Sequence, residues 1–205
     1  MPKIVDHDER RRIIVEALWR VVDRDGITAV SVRTVAAEAG MPKSSIGHYV
    51  GTMPQLLTLA LRELEQHNID KIMTLGLFDL DVDRAVEALF TLIPVSDRRR
   101  LMSGVWLLLA VNSTTDPDLA EVLHDLNTRV ADGLIEILTA MKHQGLLHHS
   151  RDPQAEARRL HALIDGLSIQ SMTDASLRDA EAIRAVLRDE VVMLALPVKS
   201  PVGAS

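Results

Sequence analysis

The sequence has no cysteine and few aromatic residues, which make up 2% of its 205 residues. Without thiols, neither a disulfide framework nor a thiolate metal site can form. No apolar run approaches the ~20 residues that span a bilayer, and the N-terminal stretch MPKIVDHDERRRII lacks the apolar segment of a signal peptide. We therefore expect a soluble cytoplasmic protein with no membrane partner.

Strand patterns are also nearly absent, because apolar residues recur every three or four positions instead of alternating with polar ones. Hydrophobic residues make up 47% of the chain, which is ample for a packed core. The sequence therefore predicts an all-α fold, with a small N-terminal three-helix unit (domain 1–52) and a larger helical body (domain 53–205). We predict helices over about 6–25, 31–39, 42–49, 53–76, 81–93, 97–114, 117–144, 153–175 and 179–196.

Positive charge is scarce overall, since the net charge is −6, and this argues against nucleic-acid binding over the whole surface. The imbalance is uneven along the chain. Residues 1–50 carry eight Lys/Arg and seven Asp/Glu, for +1, whereas the remainder carries fifteen and twenty-two, for −7. The N-terminal segment alone could therefore still bind a polyanion.

The stretch SVRTVAAEAGMPKSSIGHYV, residues 31–50, interrupts a helical pattern with Gly-Met-Pro. A helix-turn-helix needs a small residue where its two helices cross and a turn residue that tolerates positive φ, and Ala36 and Gly40 supply these. The positions expected to close this unit against the first helix are all apolar or aromatic: Val35, Ala39, Met41, Ile46 and Tyr49. The other positions of the third helix are small or polar, as a side that enters a major groove must be. The alternative is a helical hairpin with a solvated outer face.

This layout resembles the TetR family of bacterial transcription regulators over roughly residues 10–60. The resemblance lies in the long first helix, the entry TAVSVRTVAAEAG, and Tyr49 followed by a capped long helix. The stretch LHALIDGLSIQSMTDA, residues 160–175, is similar to the late helix of the BetI-like subgroup. The resemblance implies a homodimeric regulator, a repressor, that binds a pseudo-palindromic double-stranded operator and releases it when a small effector binds its C-terminal domain.

The resemblance also implies which residues face DNA. They are Arg33, Lys43, Ser44, Ser45, His48, Tyr49 and Thr52. Thr52 would act through its backbone N–H at the start of the fourth helix, where phosphates bind readily. Two positions depart from the family, since many members have an aromatic residue in place of Gly47 and a lysine in place of Met53. These departures, with the near-neutral N-terminal unit, leave open a ligand-binding or interaction module with impaired DNA binding.

The last two helices are where the resemblance places a dimer interface. Apolar and small residues recur there at helical spacing, namely Leu160, Ile164, Leu167, Ser168, Ile183, Leu187 and Val191. An ordinary core stripe has the same spacing, and periodicity does not separate the two.

The middle helices carry a mostly apolar set of candidate effector contacts. These are Phe78, Phe90, Met102, Trp106 and Leu109, with Asn112 and Asp165 as polar anchors. Simple core packing is the alternative for the apolar residues, and surface or interface hydrogen bonding is the alternative for Asn112 and Asp165. A zinc site at His143, His148 and His149 is less favoured than solvent exposure of a helix end. No nucleophile with a paired base, phosphate loop or H-E-x-x-H is present, so we expect no enzyme, no cofactor and no resident metal.

Overall fold

The computed structural model describes residues 7–197, apart from the side chains of Met53, Glu63, Leu64, Glu65, His67, Asp97, Arg98, Leu101, Met102 and Arg178. Within that range every regular element is helical, which confirms the predicted all-α fold. The α-helices are α1 (His7–Asp25), α2 (Val32–Glu38), α3 (Lys43–Val50), α4 (Met53–Leu75), α5 (Val82–Thr91), α6 (Asp97–Asn112), α7 (Pro117–His143), α8 (Pro153–Thr173) and α9 (Ala180–Leu194).

Helix ends follow local chemistry and lie within about two residues of the predicted ones. Ser31 and Thr34 form a reciprocal capping box at α2, because each side-chain oxygen accepts the backbone N–H of the other. Gly40 has a φ of 64° in the turn that separates α2 from α3. Short 3-10 helices at Ile27–Ala29, Leu77–Asp79 and Ala175–Arg178 were not predicted, because one turn shows no periodicity.

The described chain forms two compact units. The first contains residues up to 66 together with 97–124, in which α1 contacts α2, α3 and α6. Its core is built from the apolar side of α1, with Ile14 and Leu18 fully buried, and from Val35 and Ile46 of the helix-turn-helix. Burial of these side chains fixes which sides of α2 and α3 remain outside.

The second unit contains residues 67–96 and 125 onward, and its most extensive helix pair is α5 with α9. One hydrophobic cluster joins α5, α7, α8 and α9, with Leu89, Leu138, Leu160 and Leu187 among its buried members. The predicted boundary at residue 52 separates two functional domains, and it stays a prediction. The two compact units are divided differently along the chain, because α6 packs on α1 and so belongs to the first unit.

A buried ion pair lies in the second unit. Arg151 precedes α8, and its guanidinium donates to Glu156 at 2.8 Å, to the carbonyl of Leu196 at 2.8 Å and to that of Met193 at 3.1 Å. Both partners of the ion pair are more than nine-tenths buried. The arginine thus ties the start of α8 to the end of α9.

Most of the residues predicted for the dimer interface lie in the core of the protomer, and a dimer interface on α8 and α9 stays a prediction. Six of the seven are buried in the core of the protomer, at 5% exposure or less: Leu160, Ile164, Leu167, Ile183, Leu187 and Val191. Ser168 is half-buried. The apolar stripe on these helices therefore packs inside its own chain, since side chains so covered offer no surface to a partner. None of the helices within residues 7–197 is long and apolar enough to cross a membrane.

Candidate nucleic-acid interface

The short helix α3 has one buried side and one exposed side. Ile46 is 0% exposed and Val50 is buried, so these two residues hold the helix on its unit. Lys43, Ser44 and His48 are exposed. Ser45 and Tyr49 are half-buried. The exposed residues of α3 therefore carry one cation, one hydroxyl and one imidazole, and groups of these kinds can hydrogen-bond to base edges or phosphates.

Two cations of the helix-turn-helix are free to meet phosphates. Arg33 on α2 and Lys43 on α3 are exposed, and neither forms an ion pair or a side-chain hydrogen bond within the described residues. Two arginines of α1 in this unit are already paired, whereas Arg10 has no partner in the part of the chain that the structure describes. Glu38 accepts from Arg20 and Arg24, both at 2.8 Å. Although the net charge of the N-terminal segment is near zero, its positive charges are not all neutralised by partners, and unpaired cations lie on α2 and α3.

Tyr49 belongs to a cluster of rings at the end of α3. Its ring lies 5.3 Å from that of His7 and 5.2 Å from that of His48, both in edge-on geometry. The carbonyl of Tyr49 accepts a hydrogen bond from Nε of Arg11 at 3.1 Å. Tyr49 therefore contacts both its own helix and the first turns of α1.

Thr52 lies just before α4, and the phosphate contact predicted for it stays a prediction. Its backbone N–H donates to Oε1 of Gln55 at 2.8 Å, so the group expected to meet a phosphate already has a partner inside the chain. The Gln55 side chain folds over Gly51, which has a φ of 71°, and an added Cβ there would lie 1.9 Å from the same oxygen. A glutamine three residues after the cap position is the arrangement of a capping box, and the sequence shows that spacing.

The two departures from the family pattern have different structural settings. Gly47 lies on α3, and a Cβ added to it would meet nothing within 4 Å. A side chain at this position would therefore begin in open space. The side chain of Met53 lies outside the described part of the chain, although its backbone begins α4.

Two predicted effector contacts line one groove within the first unit. Leu109 and Asn112 of α6 lie there, beside the first turns of α4 and α7, in a groove of about 540 Å³. Its other lining residues are Pro54, Leu57, Leu108, Thr115, Asp116, Pro117 and Leu119. Carboxylate and amide oxygens are present, and none of these residues is basic or aromatic. The volume falls in the range of small-molecule sites.

The remaining predicted effector contacts do not share one environment. Trp106 is half-buried on α6, and the Met102 side chain lies outside the described residues. In the second unit, Phe78 is 94% exposed. Phe90 is buried in the hydrophobic cluster with the guanidinium of Arg184 3.8 Å from its ring centre. The structure thus places Phe78 on the surface and Phe90 in the core.

Asp165 is the other predicted polar anchor, on α8 of the second unit. Burial raises the pKa of its carboxyl, and nearby His161 opposes that shift. The closest approach of the two side chains is 3.8 Å, which becomes an ion pair only when the imidazole is protonated. A carboxyl in such a setting is a candidate anchor for a hydrogen-bond donor.

The histidine-rich turn after α7 shows no metal geometry. The rings of His148 and His149 lie 4.1 Å apart, and the His148 ring nitrogen Nδ1 is 2.8 Å from the Ser150 hydroxyl. Across the described residues there is no group of three His, Cys, Asp or Glu side chains that could hold a metal ion.

Arg11 and Arg151 were missed by the sequence reasoning. Arg11 stands in the run ERRR, where its neighbours look the same. Arg151 follows the predicted end of α7, where a charged residue is usually solvated. Their partners are carbonyl groups 38, 42 and 45 residues away along the chain. Side-chain pattern contains no signal for such partners, because every residue has a carbonyl group.

Two short helices joined by a tight turn at Gly40, the second of which buries Ile46 and exposes polar side chains, form a helix-turn-helix. The family described as BetI-type transcriptional repressor, C-terminal, matches residues 81–196, more than half of the chain. The chain therefore belongs to the TetR family of transcriptional regulators and has a C-terminal domain of the BetI type.

Individual relatives agree with this assignment. The chain is similar to the HTH-type transcriptional regulator PksA of Bacillus subtilis (strain 168), with 29% identity over 192 residues, 93% of this chain and 92% of PksA. A transcriptional regulator from Saccharomonospora viridis in complex with choline shares 27% identity and a TM-score of 0.73, covering 90% and 96% of the two chains. The multidrug binding protein EbrR complexed with ethidium shares 28% sequence identity with a TM-score of 0.65, and the match covers 89% of this chain and 98% of EbrR.

Family membership confirms two further expectations. The relatives are transcriptional regulators, a non-enzymatic family, so the chain is a regulator and not an enzyme. Its two functional parts are a DNA-binding helix-turn-helix and a C-terminal ligand-binding domain, as the family has them.

Proposed function

We propose that the protein is a homodimeric repressor in the cytoplasm that binds a pseudo-palindromic operator and leaves it when a small, mostly apolar effector binds. The observation that carries this proposal is the exposed side of α3, with Lys43, Ser44 and His48 beside the unpaired Arg33. Two such helices in a two-fold dimer would enter successive major grooves about 34–36 Å apart. A single α3 reads too few base pairs to specify one site.

The operator test uses selection of bound sites from a random duplex pool, followed by anisotropy titration of the recovered duplex. We expect two half-sites with two-fold symmetry, because each protomer presents one α3. Replacing Arg33 and Lys43 by Ala should weaken binding and lower the slope of log K against log salt by about 0.9 for each phosphate that is no longer neutralised. The variant should remain folded, since both side chains are exposed. Recovery of asymmetric sites would contradict the dimeric mode.

Dimer formation is supported by apolar side chains that stay exposed on α8 and α9. Ile169, Val186 and Met193 are 36%, 37% and 54% exposed. Glutamate in place of Met193 would put a charge into an apolar interface, which is strongly unfavourable for association. We expect M193E to sediment as a monomer and to lose operator affinity. Ala185→Glu, at an exposed small residue of the same helix, tests whether any added charge has this effect.

The effector proposal rests on the groove beside α4. Its apolar residues suit a hydrophobic body, while Asp116 and Asn112 supply acceptor oxygens and no lining residue is basic. The solved relatives bound to choline and ethidium hold cations. Because no lining residue is aromatic, a cation here would meet a carboxylate instead of a ring cage. A ligand in this groove contacts Pro54 in the first turn of α4, four residues after α3 ends.

The effector test measures thermal stabilisation of the DNA-free protein by choline and by ethidium. Asp116→Asn keeps the oxygen that caps α7 but removes the charge, so it should weaken any stabilisation by these cations. Asp118→Asn is the matched control, since Asp118 is exposed and does not line the groove. Equal responses of the two variants would place the effector elsewhere.

A ligand-binding or interaction module with impaired DNA binding remains the second candidate, and Gly47 is the observation that favours it. The open space around Gly47 allows its replacement by Tyr, the kind of residue many family members carry there. If the chain is a functional repressor, the wild type binds its selected operator in a salt-dependent way. If it has lost this activity, the wild type shows no preference among duplexes and G47Y gains one.

A further inference from the structure

We propose that Arg11 of α1 is a positioning residue for DNA reading, which holds the end of α3 and, with His7, sets the orientation of the Tyr49 ring. Arg11 would act through α3 without contacting the duplex. This inference rests on the proposed operator binding, and it adds α1 to the elements that determine how the operator is read.

The first observation is the hydrogen bond from Nε of Arg11 to the carbonyl of Tyr49, at 3.1 Å. The last carbonyls of an α-helix lack intrahelical N–H partners. A guanidinium at this end satisfies one of them and also interacts favourably with the negative end of the helix dipole. Since α3 has only eight residues, fixing its last turn constrains the whole helix.

The second observation is the group of rings beside that hydrogen bond. The His7 ring lies 5.3 Å from Tyr49 and 5.7 Å from His48, and these two rings lie 5.2 Å from each other. All three separations fall within the range of favourable ring pairs. Because Tyr49 and His48 are both proposed DNA contacts, α1 touches the two reading side chains as well as their backbone.

Arg11 differs in this respect from the proposed phosphate contacts. Arg33 and Lys43 make no side-chain hydrogen bond within the described residues, whereas Arg11 is engaged by Tyr49 and approaches Asp8 at 3.5 Å. Arg10 is exposed on the same turn and has no hydrogen bond or ion pair within residues 7–197. The chain thus supplies a matched control, since Arg10→Gln and Arg11→Gln remove the same charge one position apart.

Tyr49 is the only tyrosine in the chain, so it provides a selective probe. Protein labelled with fluorotyrosine should show one fluorine resonance that reports the surroundings of this ring. In the DNA-free protein we expect Arg11→Gln to shift or broaden the resonance, and Arg10→Gln to leave it unchanged. His7→Ala should also move it, because it removes a neighbouring ring. Circular dichroism melts establish that each variant is folded at the temperature of measurement.

The second arm measures anisotropy of the selected operator across a salt series. We expect Arg11→Gln to lose about tenfold in affinity, the effect of one charge-assisted hydrogen bond, with the slope of log K against log salt unchanged. Arg11→Lys should recover part of the affinity and return the resonance toward its wild-type position. A general loss of stability would lower the melting temperature without moving the resonance of the folded protein.

Two results would overturn the proposal. One is a slope reduced by about 0.9 together with an unmoved resonance, which would mean that Arg11 neutralises a phosphate itself. The other is identical behaviour of Arg11→Gln and Arg10→Gln in both arms. Absence of any operator for the wild type would instead count against the proposed function, and the fluorine arm would still decide whether Arg11 orients Tyr49.

Discussion

Glu38 in the first unit and Glu156 in the second each accept hydrogen bonds from two arginines, at nearly the same distances. Glu38 is held by Arg20 and Arg24 at 2.8 Å, and both guanidiniums are at least half exposed. Glu156 is held by Arg151 at 2.8 Å and by Arg159 at 2.7 Å, but its own side chain and that of Arg151 are over nine-tenths buried. Similar geometry therefore occurs in two dielectric environments.

The difference indicates how each unit uses charge. Exposed pairs contribute little and are screened by salt, so the first unit can keep charged groups at its surface and leave others there, such as Arg33, without a partner in the described residues. A buried pair is costly to break, because the remaining charge cannot regain its water. Arg151 also donates to Met193 and Leu196, so in the second unit the charge fastens helices together.

The largest predicted effect tests that burial. Arg151→Met leaves the Glu156 carboxylate buried with only Arg159 as a partner and removes two donors from the end of α9. We expect the free energy of unfolding to fall by about 3–5 kcal/mol in urea titrations. The double variant with Glu156→Leu should recover part of this loss, since it no longer buries an unpaired charge. A decrease below about 1 kcal/mol for the single variant, the size typical of exposed pairs, would remove the contrast with Glu38.

The next effect concerns backbone geometry beside α3. Gly51→Ala puts a side chain at a φ of 71° and against the Gln55 amide, so we expect about 1–3 kcal/mol of destabilisation in the same titration. Gly47→Ala is the matched control, because it lies in a helix with open space around it. It should stabilise by about 0.5–1 kcal/mol. Effects of the same sign at both glycines would contradict the role assigned to Gly51.

A smaller effect is the pH dependence due to Asp165. Burial raises its pKa in the folded protein above 3.8, so the folded state holds this proton more tightly than the unfolded state does. The contribution of protonated Asp165 to the free energy of unfolding is therefore complete below pH 3.8 and is lost as the pH rises through the pKa of the folded state. Asp165→Asn should therefore raise the unfolding midpoint at neutral pH and flatten this part of the pH profile. His161→Gln controls for the neighbouring imidazole.

The smallest effect is expected at Glu38. Hydrogen bonds from Arg24 and Arg20 lower the pKa of its carboxyl below 4.5, so the stability it provides is present above that pH and is lost as pH falls through the folded pKa. Glu38→Gln should lower the unfolding midpoint slightly at pH 7 in low salt. The difference should vanish near 1 M salt, where the screening length is about 3 Å. A salt-independent decrease would show that Glu38 resembles Glu156 after all.

Much of the fold and part of the candidate site could be predicted because the relevant physics is local. Ser31 caps α2, Gly40 takes a positive φ in the turn, and apolar residues at helical spacing set the helices. On α3, the alternation between Ile46 and its polar neighbours indicated which side is buried. Each of these signals needs only residues within one or two turns.

Other parts depended on neighbours that are distant or compete with one another. The N–H of Thr52 has Gln55 as its partner, although a phosphate would suit it equally well. Periodicity on α8 and α9 marked an apolar stripe but could not say whether Leu160 and Leu187 face their own chain or another. For Phe78 and Phe90, residue type favoured burial of both, and packing buried only Phe90.

Residue spacing and caps were enough to predict that this protein is helical and that residues 31–50 form a helix-turn-helix, because both are local properties of the chain. Three features became visible only once the chain was folded: Arg151 is buried, Arg11 donates to the carbonyl of Tyr49, and the apolar stripe of α8 and α9 is core. These contacts join groups that packing brings together. The sequence contains no signal for them, because every residue has a backbone carbonyl and an apolar stripe does not specify which surface covers it.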